Sequence, residues 1–209
     1  MADYIAAQAV AVALGLDQTD DTTLATAVSS ATTWVRNWCG RDFSATTSGA
    51  TATVRYFQPT DCYVTTIDDC IEVTAVATDD GNNGTYSTSW SASDWQAQPV
   101  SGQSPFGQTG WPYTCVVAVL GRTFDTWTIN RRPRVKVTAK WGWAATPDAV
   151  QQASLFLANE FYKAGREAPF GTANLADFGP VLIRGNRRVL ELLQPYRTLS
   201  AGDGRFLVA

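Results

Sequence analysis

The sequence predicts an α+β protein with a small helical bundle (N- and C-terminal helices), a large antiparallel β insertion and an extended C-terminal tail. Apolar residues recur at helical spacing near both ends of the chain, whereas two-residue alternation and turn residues fill the middle. With 209 residues, 45% of them hydrophobic, the chain can bury a core. We predict helices over 1–43, the β insertion over 44–140, helices completing the bundle over 141–197, and the tail over 198–209.

Two helices are predicted before residue 43. An Ala-rich helix over 3–14 is followed by Gly15, a residue typical of helix ends. A second helix starts near Asp20 and Asp21, whose carboxylates suit the positive end of a helix dipole, and it ends at Gly40. Its apolar residues recur every three or four positions, which predicts a buried face with these core members: Leu24, Val28, Trp34, Val35 and Trp38.

The middle of the chain has the pattern of six or seven short strands. Turn residues such as Asp79-Asp80-Gly81 separate the alternating runs. Residues 96–112 are rich in Pro and Gly, and a loop of this length in a compact domain is usually functional or else disordered when free. The predicted strands lie at 54–57, 62–67, 71–78, 115–120 and 135–139, with a pair of short strands inside 86–95, and residues 127–129 are expected to pair with one of the last two.

The strand over 135–139 leads into the most clearly marked helix of the chain. Thr146 suits the N-cap, Pro147 the first helical position and Asp148 the positive end of the dipole. A last short helix is predicted over 187–193. The predicted core residues of these two helices are Val150, Leu157, Phe161, Leu190 and Leu193.

Charge is distributed unevenly along the chain. Residues 1–100 carry 12 acidic and three basic side chains, whereas residues 101–209 carry seven acidic and 13 basic ones. The net charge of −3 argues against a generic nucleic-acid binder. The asymmetry suits self-association through opposite surfaces, and two merely solvated faces are an equal alternative.

Several kinds of site are excluded or not expected. The chain has no histidine, so Ser–His–Asp and Cys–His nucleophile systems cannot be built. Cys39, Cys62, Cys70 and Cys115 form no Cys-x-x-Cys pair, and we expect free buried thiols in a reducing cytoplasm, with Cys62 and Cys70 as the one pair that a disulfide could join. No metal, cofactor, secretory signal or membrane span is expected.

Three groups of side chains allow other functions. The pairs Asp20-Asp21, Asp68-Asp69 and Asp79-Asp80 could serve a glycosidase, although helix starts and turns explain them better. The basic run over 131–140 could contact phosphates. A solvated sheet face, or pairing with an acidic surface of a neighbouring subunit, explains the run at least as well. The main alternative function is a carbohydrate-binding β module with exposed Trp90, Trp95 and Trp111. We favour the interpretation that these tryptophans are anchors of the core or of a subunit interface.

Three segments at the two ends of the chain follow a recognisable order. They are Trp34-Val35-x-x-Trp38-Cys39-Gly40-Arg41-x-Phe43, then Val135-x-Val137-x-Ala139-x-Trp141-Gly142-Trp143 continuing into Pro147-x-x-Val150-x-x-Ala153, and Val189-x-x-Leu192-Leu193-x-Pro195-Tyr196-Arg197. Together they resemble the head–tail connector (adaptor) proteins of long-tailed bacteriophages. The resemblance covers about half of the chain, and the β insertion is longer than in compact members of that family.

The resemblance implies a structural virion protein without enzymatic activity, assembled in the host cytoplasm. Connectors of this kind form a ring beneath the portal, commonly of twelve copies, and double-stranded DNA passes through the channel without sequence recognition. An acidic lining from residues 1–100 would let DNA slide. The segment matching the portal-docking tail contains Arg205, Phe206, Leu207 and Val208, and plain disorder of this tail is the alternative. The loop over 96–112, with Pro105, Phe106 and Trp111, is the candidate for contact with a neighbouring subunit or the next tail-side component.

Overall fold

The computed structural model describes residues 3–16, 22–104, 107–126, 132–167 and 187–198, and the chain divides into two compact units. Residues 1–44 and 146–209 belong to the helical unit, and residues 45–145 belong to the β unit. Four helices and a six-stranded antiparallel sheet confirm the predicted α+β class. The predicted tail, apart from Thr198, lies outside the described residues.

The helical unit is held together mainly by α2 and α3. Its elements are α1 (Ala7–Leu14), α2 (Thr22–Cys39), α3 (Asp148–Glu167), α4 (Arg187–Leu193) and a 3-10 turn (Gln194–Tyr196). α3 packs against both α2 and α4. Of the predicted core residues, Trp34, Trp38, Phe161 and Leu190 are half-buried, and the following are buried: Leu24, Val28, Val35, Val150, Leu157 and Leu193. Burying one such side chain stabilises the fold by about 1.5–3 kcal/mol.

The first helix starts four residues later than predicted. Tyr4 is buried ahead of α1, where its amide donates to the Thr32 hydroxyl at 3.3 Å. Its own hydroxyl accepts a hydrogen bond of 3.0 Å from the amide of Phe43. These long-range contacts hold the backbone at Tyr4 outside the helix, so α1 begins at Ala7.

The β unit is built on one staggered antiparallel sheet. Its strands are β1 (Thr53–Phe57), β2 (Val64–Thr78), β3 (Thr88–Ser89), β4 (Trp95–Gln98), β5 (Tyr113–Ala118) and β6 (Val135–Trp141). The order across the sheet is β1-β6-β2-β5-β4, and β3 pairs with the C-terminal end of β2. The first half of β2 therefore pairs with β5 and the second half with β6.

Two strand predictions for this region are wrong. Residues 62–67 and 71–78 were expected to form two strands, but β2 is a single strand of 15 residues with register shifts. The two short strands expected inside 86–95 do not pair with each other, because β3 pairs with β2 and β4 pairs with β5. β4 also extends into the predicted loop over 96–112. The predicted strand at 127–129 lies outside the described residues.

The core of the β unit lies on one face of the sheet. Along β6, Val135, Val137 and Ala139 point into it, in agreement with two-residue alternation. Trp90 stacks on Phe124 with ring centroids 4.6 Å apart, and both rings belong to this core.

Candidate functional site

The start of the C-terminal tail is fixed to the end of α2. The amide of Thr198 donates to the carbonyl oxygen of Cys39 at 2.8 Å, and the Thr198 hydroxyl donates to the same oxygen at 2.7 Å. The Arg197 guanidinium lies over the Trp38 ring, 5.3 Å from its centroid. The predicted docking residues Arg205, Phe206, Leu207 and Val208 lie outside the described residues, so the structure describes only their point of departure.

A polar cluster supports the same end of the helical unit. The Arg36 guanidinium forms an ion pair of 3.0 Å with Asp42, whose carboxylate also accepts bonds from the amide and hydroxyl of Ser44. Burial alone would raise the pKa of Asp42, but the hydrogen bonds from Ser44 and Arg36 outweigh it and hold that pKa below its ordinary value. The Asp42 side chain is therefore a charged carboxylate in the folded protein.

The loop over 96–112 cannot present Trp111 as expected. Trp111 is buried, and its ring meets that of Trp143 edge to face with centroids 5.0 Å apart. Pro105 and Phe106 lie outside the described residues. The loop instead exposes Val100, which is 62% accessible and lines a groove.

The three tryptophans proposed as a sugar platform do not form one. Trp90 and Trp111 are buried, and Trp95 is half-buried against the core. The Trp90 indole nitrogen donates to the Thr78 hydroxyl at 3.1 Å, which ties the ring to β2. The arrangement favours core anchors over a carbohydrate-binding face.

The acidic pairs have structural partners where the structure describes them. Asp68 pairs with Arg55 at 2.6 Å, and Asp69 accepts a hydrogen bond of 2.9 Å from the Trp143 indole. Asp79 is buried and caps a turn by accepting the amides of residues 83 and 84. Asp20 and Asp21 lie outside the described residues. In the described ranges, no three His, Cys, Asp or Glu side chains gather as metal ligands would.

The basic run near β6 is engaged within the β unit. Arg134 is buried and donates to the Asp125 carboxylate at 2.7 Å and to the Asp80 carbonyl at 3.1 Å. Lys140 contacts Glu72 at 2.6 Å. Arg134 and Lys140, two cations of the basic run over 131–140, are thus used in intramolecular contacts.

The four cysteines are free, and one of them is exposed, contrary to the expectation that all are buried. Burial raises the pKa of Cys39 and of Cys70 to about 12, and it also raises the pKa of Cys115. Cys62 is the exposed thiol. Among the helices that the structure describes, none has the length and apolarity needed to cross a bilayer.

β1 is an open edge of the sheet as far as the described strands go, and it has exposed apolar side chains. Val54 is 40% and Tyr56 52% accessible. The Phe57 carbonyl accepts a hydrogen bond from the Arg134 amide, so Phe57 directs its backbone groups toward the β6 side. By alternation, the backbone groups of Val54 and Tyr56 point to the open side. Natural sheets usually protect such an edge with charge, proline or a cover.

A groove of about 380 Å³ lies where β2 has a strand on only one side. β5 pairs with β2 as far as Cys70 and β3 pairs from Ala77, so no described strand covers residues 71–75 on that side. The groove is lined by both polar and apolar groups, with Glu72 and Gln96 among the polar ones. Its apolar lining includes Ile71, Val73, Trp95, Val100 and Tyr113. The sequence predicts β1 but gives no sign that the strand is an edge or that β2 is partly uncovered.

Comparison with known proteins gives a fold relationship. No protein-family model matches the chain, and no curated protein does. A chain from the neck of an empty gene transfer agent (GTA) particle, computed with C6 symmetry, has a TM-score of 0.53 and 16% identity, covering 99% of this chain and 93% of the other. The protein has the fold of that neck chain. A chain from the virion of a native GTA particle has a TM-score of 0.49 and 19% identity, with the same coverage.

The fold likeness extends over both units, because nearly the whole chain is covered. The β unit is therefore part of the shared fold and not an addition to it.

Proposed function

We propose that the protein is a structural virion component of the neck, where identical copies form a ring between portal and tail. The observation that carries the proposal is the fold shared with a GTA neck chain along 99% of the sequence. The three sequence segments that resemble head–tail connectors independently support a location between head and tail. Sixfold symmetry in that neck structure is compatible with a ring of twelve copies.

In this proposal the ring is a passage for double-stranded DNA and a docking platform. The buried arginine and the paired lysine of the basic run suit a surface that does not hold phosphates tightly. The tail, which begins at Thr198, docks on the portal through Phe206, Leu207 and Val208, with Arg205 beside them. The opposite side of the ring receives the next tail-side component.

Ring formation is tested with full-length protein and the portal protein of the same particle. We expect annular complexes by electron microscopy and a defined large species by sedimentation velocity when the portal is present. A protein that stays monomeric at high concentration both with and without the portal would contradict the ring.

The role of the tail is tested with Phe206→Asp combined with Leu207→Asp, and with deletion of residues 199–209. Circular dichroism and urea unfolding show first whether both variants keep the fold, and both should then lose portal binding. Ala201→Asp is the matched control, because it adds a charge to the tail outside the apolar segment. Normal portal binding by the double variant would refute this assignment.

A further inference from the structure

The open edge of β1 and the groove beside β2 are complementary surfaces at different places in one sheet. β1 is the first strand in the sheet order, and the groove lies on the other side of β2, next to β5 and β4. A surface that binds a different surface of an identical molecule makes a head-to-tail contact, and such contacts can close into a ring. The two surfaces therefore have the arrangement that a ring subunit needs.

The two surfaces also match in length and in chemistry. β1 has five residues, and the uncovered stretch of β2 spans residues 71–75. An added strand would supply backbone partners there, as in strand addition to an open sheet. Val54 and Tyr56 are exposed apolar groups on one surface, and Val100 is the most exposed apolar group on the other.

Opposite charges lie beside these apolar groups. Arg55 lies between Val54 and Tyr56 in the sequence of β1, with its side chain on the other face of the strand, and Glu72 lines the groove. Each is about half-exposed: Arg55 pairs with Asp68 and lies over the Trp141 ring, and Glu72 pairs with Lys140. Both can therefore accept a second, intermolecular contact without being freed from the first.

We propose that β1 of one copy docks in the groove of the next copy, with Val54 and Tyr56 against Trp95 and Val100 and with Arg55 facing Glu72. The contact rests on the proposed ring and names its subunit interface. Covering these apolar groups explains why β1 leaves Val54 and Tyr56 exposed at an open edge.

Cross-linking of the full-length protein tests the geometry. Tyr56→Cys and Val100→Cys are combined in a Cys62→Ser background, which removes the exposed native thiol. On oxidation, we expect a ladder of covalent oligomers larger than dimers, because every copy offers one cysteine on each surface. The two variants that carry only one of these substitutions serve as controls and can give dimers at most, since their other thiols are buried or half-buried. Only dimers, or no cross-link, from the combined variant would overturn the proposal.

Charge reversal provides a second test with its own rescue. Arg55→Glu and Glu72→Arg should each weaken self-association about tenfold or more in sedimentation experiments. The double reversal should restore it, since every copy then carries both exchanged charges. Asp68 and Lys140 are unchanged in all variants, so their intramolecular pairs cannot produce the recovery. A double variant weaker than either single one would refute the Arg55–Glu72 contact.

The outcomes separate this contact from the proposed function. Rings seen by electron microscopy without the cross-linked ladder would overturn the contact and leave the neck ring standing. Particles that join heads to tails normally without this protein would overturn the neck function, whereas the ladder would still establish the contact.

Discussion

Thr198 closes the C-terminal end of α2 by giving both its amide and its hydroxyl to one acceptor, the carbonyl oxygen of Cys39. The last carbonyl groups of a helix have no partner within the helix, and those near a core need one from elsewhere. Here the partner comes from a residue 159 positions later in the chain. The departure point of the tail and the end of α2 are therefore one structural unit.

Replacing Thr198 with Val tests this connection. The variant keeps the backbone amide and loses the hydroxyl donor, so we expect the free energy of unfolding to fall by about 1 kcal/mol. Urea unfolding followed by circular dichroism measures the change. Thr123→Val is the matched control at an exposed loop position and should differ from the parent by less than ~0.5 kcal/mol. Equal stabilities of the two variants would contradict a specific role for the hydroxyl.

Gly40 and Gly15 form a natural pair for separating backbone strain from steric contact. Both follow a helix and have positive φ, +65° and +67°. A Cβ at Gly15 would meet nothing within 4 Å, whereas one at Gly40 would lie 3.1 Å from the Thr198 hydroxyl oxygen. Gly15→Ala should therefore lower the free energy of unfolding by about 1 kcal/mol. Gly40→Ala should lower it further, because the tail anchor must also move.

Urea unfolding of the two glycine variants gives the comparison. Gly40→Ala combined with Thr198→Ser keeps the hydroxyl and relieves none of the backbone strain, so it should remain less stable than Gly15→Ala. The idea fails if Gly15→Ala is the more damaging of the two single changes.

The helical unit is largely predictable from sequence because its signals are local. Steps of three and four between apolar residues define the buried face of α2, and the predicted bounds of α4 agree with Arg187–Leu193. The start of α1 was mispredicted because its cause is not local. Tyr4 is held by Thr32 and Phe43, which lie far along the chain.

The β unit is harder to predict from sequence, because more of its structure depends on contacts between residues far apart in the chain. Asp68 and Asp69 have the pattern of a turn, yet both lie inside β2, since Arg55 and the Trp143 indole supply their partners. Neither partner can be inferred from neighbouring residues. The groove likewise results from the uneven extents of β5 and β3 along β2, a property of pairing register rather than of any sequence motif.

Thiol reactivity should distinguish Cys62 from the other three cysteines. At pH 8 a thiol with a pKa of about 12, as at Cys39 and Cys70, is a thiolate in roughly one molecule in ten thousand. Cys115 also has a raised pKa because it is partly buried. We expect one fast-reacting thiol per native chain with a thiol-reactive dye, and four in denaturing urea. In Cys62→Ser, fast labelling of the native protein should disappear, and its persistence would contradict the burial of the remaining thiols.

Arg134 should contribute to stability where its neighbour Lys136 contributes little. The buried guanidinium binds Asp125 at 2.7 Å and the Asp80 carbonyl at 3.1 Å, so it connects the start of β6 to the turn after β2. Arg134→Met should lower the free energy of unfolding by about 1–3 kcal/mol, since the Asp80 carbonyl loses a charged donor. Lys136→Met removes the same charge from a half-buried position and should change it by less than ~0.5 kcal/mol.

Heparin affinity gives the Arg134 comparison a second measurement. If Arg134 served a polyanion surface, Arg134→Met would weaken retention on heparin at least as much as Lys136→Met. Because the guanidinium is buried and paired, we expect retention to respond less to the Arg134 change than to the Lys136 change. The opposite ranking, together with unchanged stability of Arg134→Met, would show that this residue faces a partner and does not hold the turn.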